Sequence, residues 1–301
     1  MKKQAVLIIV HKSSYVLEKN LKLLDSPYID IFIHVDAKCP DFKFDFYKKI
    51  LKHSKLVYVK PRIKVYWGGY SQVQVELMLL KLAQSYGDYS YYHLISGQDL
   101  LIKSSKNFVN FFDNSDKIFL ESKKLIKSDE WSKKIYYRVS VKHIFVNYVR
   151  DSNLVIQYGA RLFNRLYADL QVKIGIDLIK KNKIILRYGS NWFSLPDDCV
   201  EYILKQKDEI YNNYKNSWLI DEIFIQSTIV KNEKFQNRLA LTNKRKIKWL
   251  GEKAAHPYTW RETDFNELIN SKAFFARKFD ENIDKKIIDK IYNVVKKREL
   301  N

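Results

Sequence analysis

Two adjacent carboxylates interrupt an apolar run in the second half of the chain. The stretch 217–226 reads SWLIDEIFIQ and contains Asp221 and Glu222. Burying both acids without partners would cost several kcal/mol or force their protonation. An ionised carboxylate beside a substrate can instead take the proton of an attacking hydroxyl group. The pair therefore indicates either a catalytic base or two helix-capping residues.

The apolar spacing after position 219 favours a helix that begins at these acids. Ile220, Ile223 and Phe224 fit one helical face whose first turn holds both carboxylates. In that arrangement Asp221 is the expected N-cap, and the helix dipole favours the ionised form of Glu222.

Alternating strands and helices are predicted to position these residues. β-branched and apolar runs predict strands at 5–10, 29–36, 56–59 and 89–95. Apolar periodicity predicts helices at 14–24 and 71–86. Continuous apolar strands separated by helices are typical of a parallel sheet that is buried on both faces. The predicted fold class is therefore α/β, Rossmann-like in element order, with a mostly parallel central sheet.

No proline-rich linker, repeat or low-complexity tract divides the sequence. We therefore predict one domain over 1–301, with a nucleotide-binding half at 1–100 and an acceptor-binding and catalytic half at 100–301. The segment 100–170 is more basic and irregular, with a helix predicted at 107–114 and a short strand at 118–121.

Polar side chains follow the predicted strands. His11, Asp36 and the pair Gln98 and Asp99 come just after strands, and Trp67 follows the third. Ligands of open α/β sheets bind beyond the carboxyl ends of the strands. A carboxylate there can accept a hydrogen bond from a ribose hydroxyl, and a tryptophan offers a flat face to a base. A lone strand-end aspartate such as Asp36 more often just caps the next turn, but four polar strand ends on one edge favour a binding role here. For His11 a structural role is as plausible as a binding role.

The net charge and the motifs limit the classes of binding partner but do not identify one. Lysine and arginine number 54 against 34 aspartate and glutamate, which gives a formal charge of +20. Such a charge attracts phosphates, nucleic acid or acidic lipid. A genome whose codon bias favours lysine would give the same charge without any such partner. The sequence contains no HExxH, EF-hand or paired Cys/His spacing, so no dedicated metal site is predicted. Glycine-rich phosphate loops of the GxGxxG or P-loop type are also absent from the sequence.

A set of motifs in a fixed order resembles a known family. The motifs are IIVHK (8–12), IHVDAK (33–38), YWGGYSQVQVEL (66–77), LISGQDLLI (94–102), GSNWFSL (189–195), DEIFIQ (221–226), IKW (247–249), HPYT (256–259) and FFARKFD (274–280). Together they resemble the core-2/I-branching glycosyltransferases, glycosyltransferase family 14. That family includes branching N-acetylglucosaminyltransferases and peptide xylosyltransferases.

The resemblance implies a GT-A-like fold, a UDP-sugar donor, inversion at the anomeric carbon and catalysis without a metal or other cofactor. It implies that Glu222 is the catalytic base and that Lys278 binds the diphosphate. The other implied donor-side residues are Val10, His11, Asp36, Trp67, Arg261 and Arg277. The implied acceptor-side residues are Gln98, Asp99, Glu121, Trp192 and Trp249.

Two other functions stay open on the sequence alone. One is a metal-dependent GT-A transferase in which Asp36 or Asp99 holds the ion. The other is a non-catalytic basic protein that binds anions. If the chain is a branching-family enzyme, we expect it to be bacterial and cytoplasmic. It would transfer a sugar, with GlcNAc as the first candidate, to a glycan or lipid-linked acceptor in the synthesis of a surface polysaccharide. We expect no nucleic-acid partner and a peripheral contact with the inner face of the membrane.

Overall fold

The computed structural model describes residues 1–126, 128–240, 242–251, 254 and 256–300. The strands in this part of the chain are β1 (Lys3–Val10), β2 (Ile29–Val35), β3 (Leu56–Tyr58), β4 (Tyr89–Ser96), β5 (Asp99–Leu101), β6 (Ile118–Leu120), β7 (Lys123–Lys124), β8 (Arg187–Tyr188), β9 (Phe193–Pro196), β10 (Leu239–Ala240), β11 (Arg245–Ile247) and β12 (Phe275–Arg277). The α-helices are α1 (Tyr15–Leu24), α2 (Phe44–Lys49), α3 (Ser71–Tyr86), α4 (Ser105–Asp113), α5 (Glu130–Ser140), α6 (Leu154–Lys173), α7 (Leu178–Lys181), α8 (Asp197–Lys205), α9 (Lys207–Tyr214), α10 (Phe224–Ile229), α11 (Glu233–Gln236), α12 (Phe265–Ile269) and α13 (Lys285–Leu300). Short 3-10 helices span Val146–Tyr148, Ile220–Glu222 and Glu262–Asp264.

A seven-stranded sheet forms the centre of the molecule, in the order β10-β6-β9-β4-β1-β2-β3. β1 is parallel to β2 and β4, β2 is parallel to β3, and β10 is parallel to β6. Among the described strands of this sheet, β9 alone is antiparallel to its neighbours, β4 and β6. The predicted α/β class with a mostly parallel central sheet is confirmed.

The core lies on both faces of this sheet. Val6, Ile8 and Val10 of β1 belong to one apolar cluster, whereas Ala5 and Leu7 belong to the other. Helices α1, α4 and α13 contribute to the first cluster, and α3 and α8 contribute to the second. Alternate side chains of a strand point to opposite faces, so burial on both sides requires the unbroken apolar runs seen in the sequence.

The carboxyl ends of the parallel central strands form one edge of the sheet, which we call the strand-end rim. A second sheet of three strands, in the order β11-β12-β5, continues from this edge. β12 is antiparallel to β5, and its register places Arg277 opposite Asp99. The chain leaves β4 at Ser96 and enters β5 three residues later, so this sheet begins where the central strand ends.

The expected helix start at the two acids is only partly correct. Ile220, Asp221 and Glu222 form a 3-10 turn that precedes α10, and the residue before the turn is Leu219 in the left-handed region at φ 51°. Asp221 is not an N-cap, because its buried carboxylate accepts a hydrogen bond from Gln72 Nε2 at 3.2 Å. The apolar side chains that suggested a helix are buried, and they fix the position of this turn.

The segment 100–170 contains more regular structure than expected. It holds α5 and most of the 20-residue helix α6. The buried residues of α6 are Ala160, Asn164, Ala168 and Gln171, so its large apolar side chains do not mark the buried face. The predicted helix at 107–114 and strand at 118–121 correspond to α4 and β6, whereas α5 and α6 were not predicted. No helix in the described residues is long and apolar enough to cross a membrane.

Gly189 lies in the connection from β8 to β9, at a very close backbone approach. A Cβ atom built on Gly189 would lie 1.9 Å from the carbonyl oxygen of Glu121. Glycine is required here because the opposing atom belongs to the backbone, which cannot rotate away as a side chain would.

We expect Gly189→Ala to destabilise the fold by about 1–3 kcal/mol, since the added methyl group forces two backbone segments apart. Urea unfolding monitored by tryptophan fluorescence measures this loss. Gly159→Ala is the matched control, because a Cβ at Gly159 in α6 meets nothing within 4 Å. That variant should be neutral or stabilising by about 0.5–1 kcal/mol. Equal stability of the two variants would contradict the close approach.

Candidate active site

Glu222 ends the 3-10 turn and forms an ion pair with Arg138. Arg138 Nη1 lies 3.0 Å from Glu222 Oε2, and the Glu222 side chain is 33% exposed. Arg138 is held on α5, and its carbonyl oxygen accepts a hydrogen bond from the Trp218 N–H at 3.1 Å. The pair therefore fixes one carboxylate oxygen while the side chain keeps its access to solvent.

The segment 187–190 lies against the same turn. The N–H of Gly189 donates to the Glu222 carbonyl oxygen at 2.9 Å, and the N–H of Ser190 donates to Glu121 Oε2 at 3.3 Å. Burial raises the pKa of the Tyr188 hydroxyl, and the neighbouring charge of Glu222 raises it further. Glu121 and Glu222 thus lie on either side of Gly189.

Asp221 points inward, toward a second buried acid. Its Oδ1 has no hydrogen-bond partner among the described residues, and neither has either carboxylate oxygen of Glu76 on α3. Burial and then the Glu222 charge raise the pKa of Asp221 from 3.8 to about 7. Burial and then the Asp221 charge raise the pKa of Glu76 well above its ordinary value. The buried side of the turn that contains Glu222 therefore holds two carboxyl groups with raised pKa values, those of Asp221 and Glu76.

A cationic cluster occupies the end of β12. Arg277 Nη1 lies 3.0 Å from Asp99 Oδ1 and also donates to the Ser96 hydroxyl group. The Arg277 guanidinium carbon lies 4.6 Å from the centre of the Trp192 ring. The Ser96 N–H donates to Asp99 Oδ2 at 2.6 Å. Arg277 is therefore fixed by a carboxylate, a hydroxyl group and an aromatic face.

Lys278 follows directly, and its backbone is fixed on both sides. Its N–H donates to the Tyr258 carbonyl oxygen at 3.4 Å, and its carbonyl oxygen accepts from the Trp260 N–H at 3.0 Å. Within the described part of the chain, no carboxylate forms an ion pair with the Lys278 ammonium group. The Lys278 charge is thus available to a ligand, whereas Arg277 already has a partner.

The first strand end lies on this same rim. The pKa of His11 is lowered by burial, and the charges of Arg277 and Lys278 are among the further causes. The Phe279 N–H donates to the Gln98 carbonyl oxygen at 2.9 Å, which joins the β4–β5 turn to the segment after β12. His11, Gln98, Arg277 and Lys278 are therefore brought together by the fold.

Asp36 is buried at the next strand end and has several partners. Its N–H donates to the Val10 carbonyl oxygen at 2.8 Å. Its Oδ1 accepts from the N–H groups of Lys38 at 2.9 Å and Val65 at 3.3 Å. Asp36 therefore does cap the following turn, and its second oxygen lies 3.5 Å from Lys38 Nζ.

Trp67 borders a cavity of about 520 Å³. The cavity is lined by Trp67, Tyr137, Val149, Arg150, Arg161, Asn164, Arg165, Asp169 and Trp218. The Arg150 guanidinium carbon lies 3.3 Å from the centre of the Trp67 ring, and the Trp218 ring meets Trp67 edge-on at 6.1 Å. The ring face that carries Arg150 is therefore not free to stack on a base.

Two predicted residues lie outside these contacts. Arg261 is exposed at the start of the 3-10 helix Glu262–Asp264, and its N–H donates to Asp264 Oδ2 at 3.0 Å. Trp249 is 55% exposed in the loop after β11. In the residues that the structure describes, neither side chain forms a hydrogen bond or an ion pair with Arg277, Lys278 or Glu222.

Sequence reasoning missed several residues of the site. Arg138, Tyr188 and Arg150 meet their partners across long sequence separations, and no local pattern distinguishes them from other basic or aromatic residues. Glu76 did leave a signal. It lies between Val75 and Leu79 on the buried face of α3, where an unpaired acid is costly.

A metal site is not apparent in the described residues, since no three His, Cys, Asp or Glu side chains converge there. The two aspartates considered as metal ligands are both engaged: Asp99 by Arg277 and Asp36 by backbone N–H groups and Lys38.

The raised pKa of Asp221 gives the stability a testable pH dependence. Between 3.8 and about 7 the folded protein keeps a proton that the unfolded chain releases, so the free energy of unfolding falls as pH rises through this range. One pKa unit corresponds to about 1.4 kcal/mol. We therefore expect Asp221→Asn to be more stable than the original protein at pH 8, with a smaller advantage at pH 5, measured by urea unfolding.

Asp198→Asn is the control of opposite sign. Burial alone would raise the pKa of Asp198, but hydrogen bonds from Arg238 and Lys234 outweigh it and lower the pKa. Removing that carboxylate should reduce stability at pH 8. An Asp221→Asn protein with the same pH profile as the original would contradict the buried acid pair.

Comparison with known proteins identifies the family. The model of the Core-2/I-Branching enzyme family matches residues 5–271. Xylosyltransferase 2 of Rattus norvegicus is 24% identical over 95% of this chain and 33% of its own length. A beta-glucuronosyltransferase of Arabidopsis thaliana is 28% identical over 35% of this chain and 25% of its own length. The chain thus spans about a third of the length of the xylosyltransferases that it matches.

Among solved structures, the apo form of mouse xyloside xylosyltransferase 1 aligns over 92% of this chain and 97% of its own, with a TM-score of 0.37 and 8% identity. At that score the alignment adds nothing to the fold class, which follows from the sheet described above. The family match covers most of the chain and includes His11, Asp36, Gln98 and the turn of Glu222, but it ends before Arg277 and Lys278. The chain therefore belongs to the Core-2/I-branching enzyme family of glycosyltransferases.

Proposed function

We propose that this chain transfers a sugar from a UDP-sugar to a hydroxyl group of a glycan acceptor, with inversion and without a metal ion. GlcNAc is the first donor sugar to test. The observation that carries the proposal is the arrangement of the two acids: Asp221 is buried, whereas Glu222 is partly exposed and oriented by Arg138.

Glu222 is the proposed general base. The acceptor oxygen forms a bond to the anomeric carbon while its proton passes to the Glu222 carboxylate. The bond from the anomeric carbon to the diphosphate oxygen breaks on the opposite face, and its electron pair leaves with UDP. Arg138 engages Oε2 and would keep the carboxylate in place, so Oε1 is the proposed proton acceptor.

Lys278 is the proposed partner of the leaving diphosphate. Negative charge grows on UDP as the bond breaks, and a fixed cation stabilises it best where no other carboxylate competes. Lys278 meets that condition in the described structure, and Arg277 adds a second positive charge beside it. Asp99 and Trp192 contact Arg277, so we assign them to positioning this cation instead of binding the acceptor.

The nucleotide is proposed to lie along the strand-end rim, against Val10, His11 and Asp36. The shared rim of His11, Arg277 and Lys278 supports this placement. Trp67 and Arg261 remain donor-side candidates with weaker support, because Arg150 covers one face of Trp67 and Arg261 is exposed. Glu121 has the best support on the acceptor side, since it shares the Gly189 contact with Glu222. Gln98 and Trp249 are retained as acceptor-side candidates.

The proposed acceptor is a lipid-linked saccharide of bacterial surface polysaccharide synthesis, used at the inner face of the membrane. The cavity beside Trp218 supports an anionic acceptor. Arg150 and Arg161 both line it, and in the described residues neither forms an ion pair with a carboxylate. Burial and then the charge of Arg161 lower the pKa of Arg150, so an anion placed between them would relieve that repulsion.

A panel of UDP-sugars tests the proposed activity. We expect at least one to be turned over, and we expect Glu222→Gln to reduce that turnover by about 10²–10⁴-fold, because the hydroxyl proton then has no acceptor. UDP affinity, measured by calorimetry, should stay nearly unchanged.

Glu201→Gln is the control, since Glu201 pairs with Lys205 on the surface of α8 and should be dispensable. Equal loss of turnover and of UDP binding in Glu222→Gln would show that Glu222 is structural. Turnover of no UDP-sugar by the original protein, with retained binding of polyanions, would favour the non-catalytic alternative.

Lys278→Met tests the leaving-group role. We expect turnover to fall by about 10²–10³-fold, because the diphosphate loses a fixed cation in the transition state. The same assays, run with and without EDTA, test whether turnover depends on a divalent metal ion. EDTA should leave the rate of the original protein unchanged. Lys272→Met, at an exposed lysine nearby in the sequence, should behave like the original protein. Loss of activity in EDTA that Mn²⁺ or Mg²⁺ restores would favour the metal-dependent alternative.

A further inference from the structure

Helix α6 has the reverse of the usual amphipathic pattern. A surface helix of a globular protein normally buries its apolar stripe and exposes its polar face. The buried residues of α6 are instead two alanines, Asn164 and Gln171. Its large apolar side chains are exposed to solvent, namely Leu154, Val155, Ile156, Tyr158, Leu162, Phe163, Leu166, Tyr167, Leu170 and Val172.

The amide side chains of the inner face attach the helix to the body of the protein. Asn164 Oδ1 accepts from the Ile144 N–H at 2.9 Å. Gln171 Oε1 accepts from the Lys142 N–H at 2.9 Å, and its Nε2 donates to the Lys142 carbonyl oxygen at 2.8 Å. These bonds fix which face of α6 points outward, so the apolar exposure follows from specific contacts.

The exposed face is continuous. Val155, Leu162, Leu166 and Leu170 are separated by seven or four residues, a spacing that aligns side chains along one side of a helix. Val155 is 82% exposed, and Leu162 and Leu166 are each 56% exposed. The neighbouring side chains of Phe145 and Ile174 are exposed as well, at the segments that precede and follow the helix. We call this set of side chains the α6 face.

Cations border the α6 face. Arg161, Arg165 and Lys173 are exposed on the same helix, and Asp169 is its single acid. Lys180, Lys181 and Lys183 follow in the next segment and are exposed. A helix with an exposed apolar face and flanking lysine or arginine binds in the plane of a membrane interface, where anionic headgroups meet the cations.

We propose that the α6 face is a membrane-docking surface that lies on anionic lipid. The apolar side chains would enter the boundary between headgroups and acyl chains, and Arg161, Arg165 and Lys173 would contact lipid phosphates. This is an interfacial contact, because the charged residues within α6 prevent it from crossing the bilayer.

The charges favour lipid over a second copy of the chain. Two copies joined through their α6 faces would bring the bordering arginines and lysines of both molecules together. Each chain also carries a formal charge of +20, so approach is opposed at long range. An anionic bilayer offers an apolar layer to the exposed apolar side chains and phosphate groups to the bordering cations.

The docked orientation also bears on the acceptor, and this part rests on the proposed function. Arg161, Asn164, Arg165 and Asp169 of α6 line the cavity that holds Trp67 and Trp218. A helix lying on the bilayer therefore places this cavity at the headgroup level. The phosphate of a lipid-linked saccharide would reach Arg150 and Arg161 without leaving the membrane surface.

Vesicle sedimentation tests the docking surface without reference to catalysis. The full chain is mixed with vesicles of phosphatidylglycerol and phosphatidylcholine, or of phosphatidylcholine alone, at low and physiological salt. We expect binding to the anionic vesicles that weakens with salt. The double variant Leu162→Gln/Leu166→Gln should bind at least tenfold more weakly, because two apolar contacts with the bilayer are lost.

Phe46→Gln/Ile283→Gln is the matched control, since Phe46 and Ile283 are exposed apolar residues outside α6. Its vesicle binding should equal that of the original protein, and circular dichroism should show that all three proteins are folded. Failure of the original protein to bind anionic vesicles, or equal binding by both double variants, would overturn the proposal. So would light scattering that shows a dimer which Leu162→Gln/Leu166→Gln converts to a monomer. UDP-sugar hydrolysis without vesicles is recorded in parallel, so failure of the activity is seen separately.

Discussion

The ion pair between Arg138 and Glu222 is the contact on which the site depends. It joins α5 to the 3-10 turn over a separation of 84 residues, at 3.0 Å. Two backbone bonds support it: the Trp218 N–H donates to Arg138, and the Leu219 N–H donates to Gly68 at 2.9 Å. A partly exposed pair contributes little to folding stability, typically below about 1 kcal/mol. Its consequence is positional, because it orients one carboxylate toward the solvent side of a turn whose other two residues, Ile220 and Asp221, are buried.

The 3-10 geometry explains how two neighbouring acids acquire different environments. A 3-10 helix has three residues per turn, so adjacent side chains point in directions about 120° apart. Asp221 is thereby directed toward Gln72 and the buried Glu76, while Glu222 is directed toward Arg138. Desolvation then raises the pKa of the buried Asp221 carboxyl group. The close approach of Gly189 to Glu121 holds the facing segment against this turn.

Features that depend on local pattern could be predicted from the sequence. The four central strands have unbroken apolar runs, and His11, Asp36 and Gln98 follow them directly, so the rim was predictable. The pairing of Arg138 with Glu222 was not, because a salt bridge between distant segments leaves no periodicity in either. Asp221 was misassigned as an N-cap because apolar spacing cannot distinguish a 3-10 turn from the first turn of an α-helix. The outward direction of the apolar side chains of α6 was not predictable, because sequence patterns are interpreted on the assumption that such side chains face the core.

The proposed reaction is a single displacement in which the acceptor hydroxyl group gives its proton to Glu222 and attacks the sugar as UDP leaves. The most direct measurement is the anomeric configuration of the first product formed from whichever UDP-sugar the chain uses, determined by proton NMR during the reaction. With a single displacement at the anomeric carbon, we expect an α-linked donor to give a β-linked product. An α-linked product would contradict it, because retention requires a second displacement or a different geometry around Glu222.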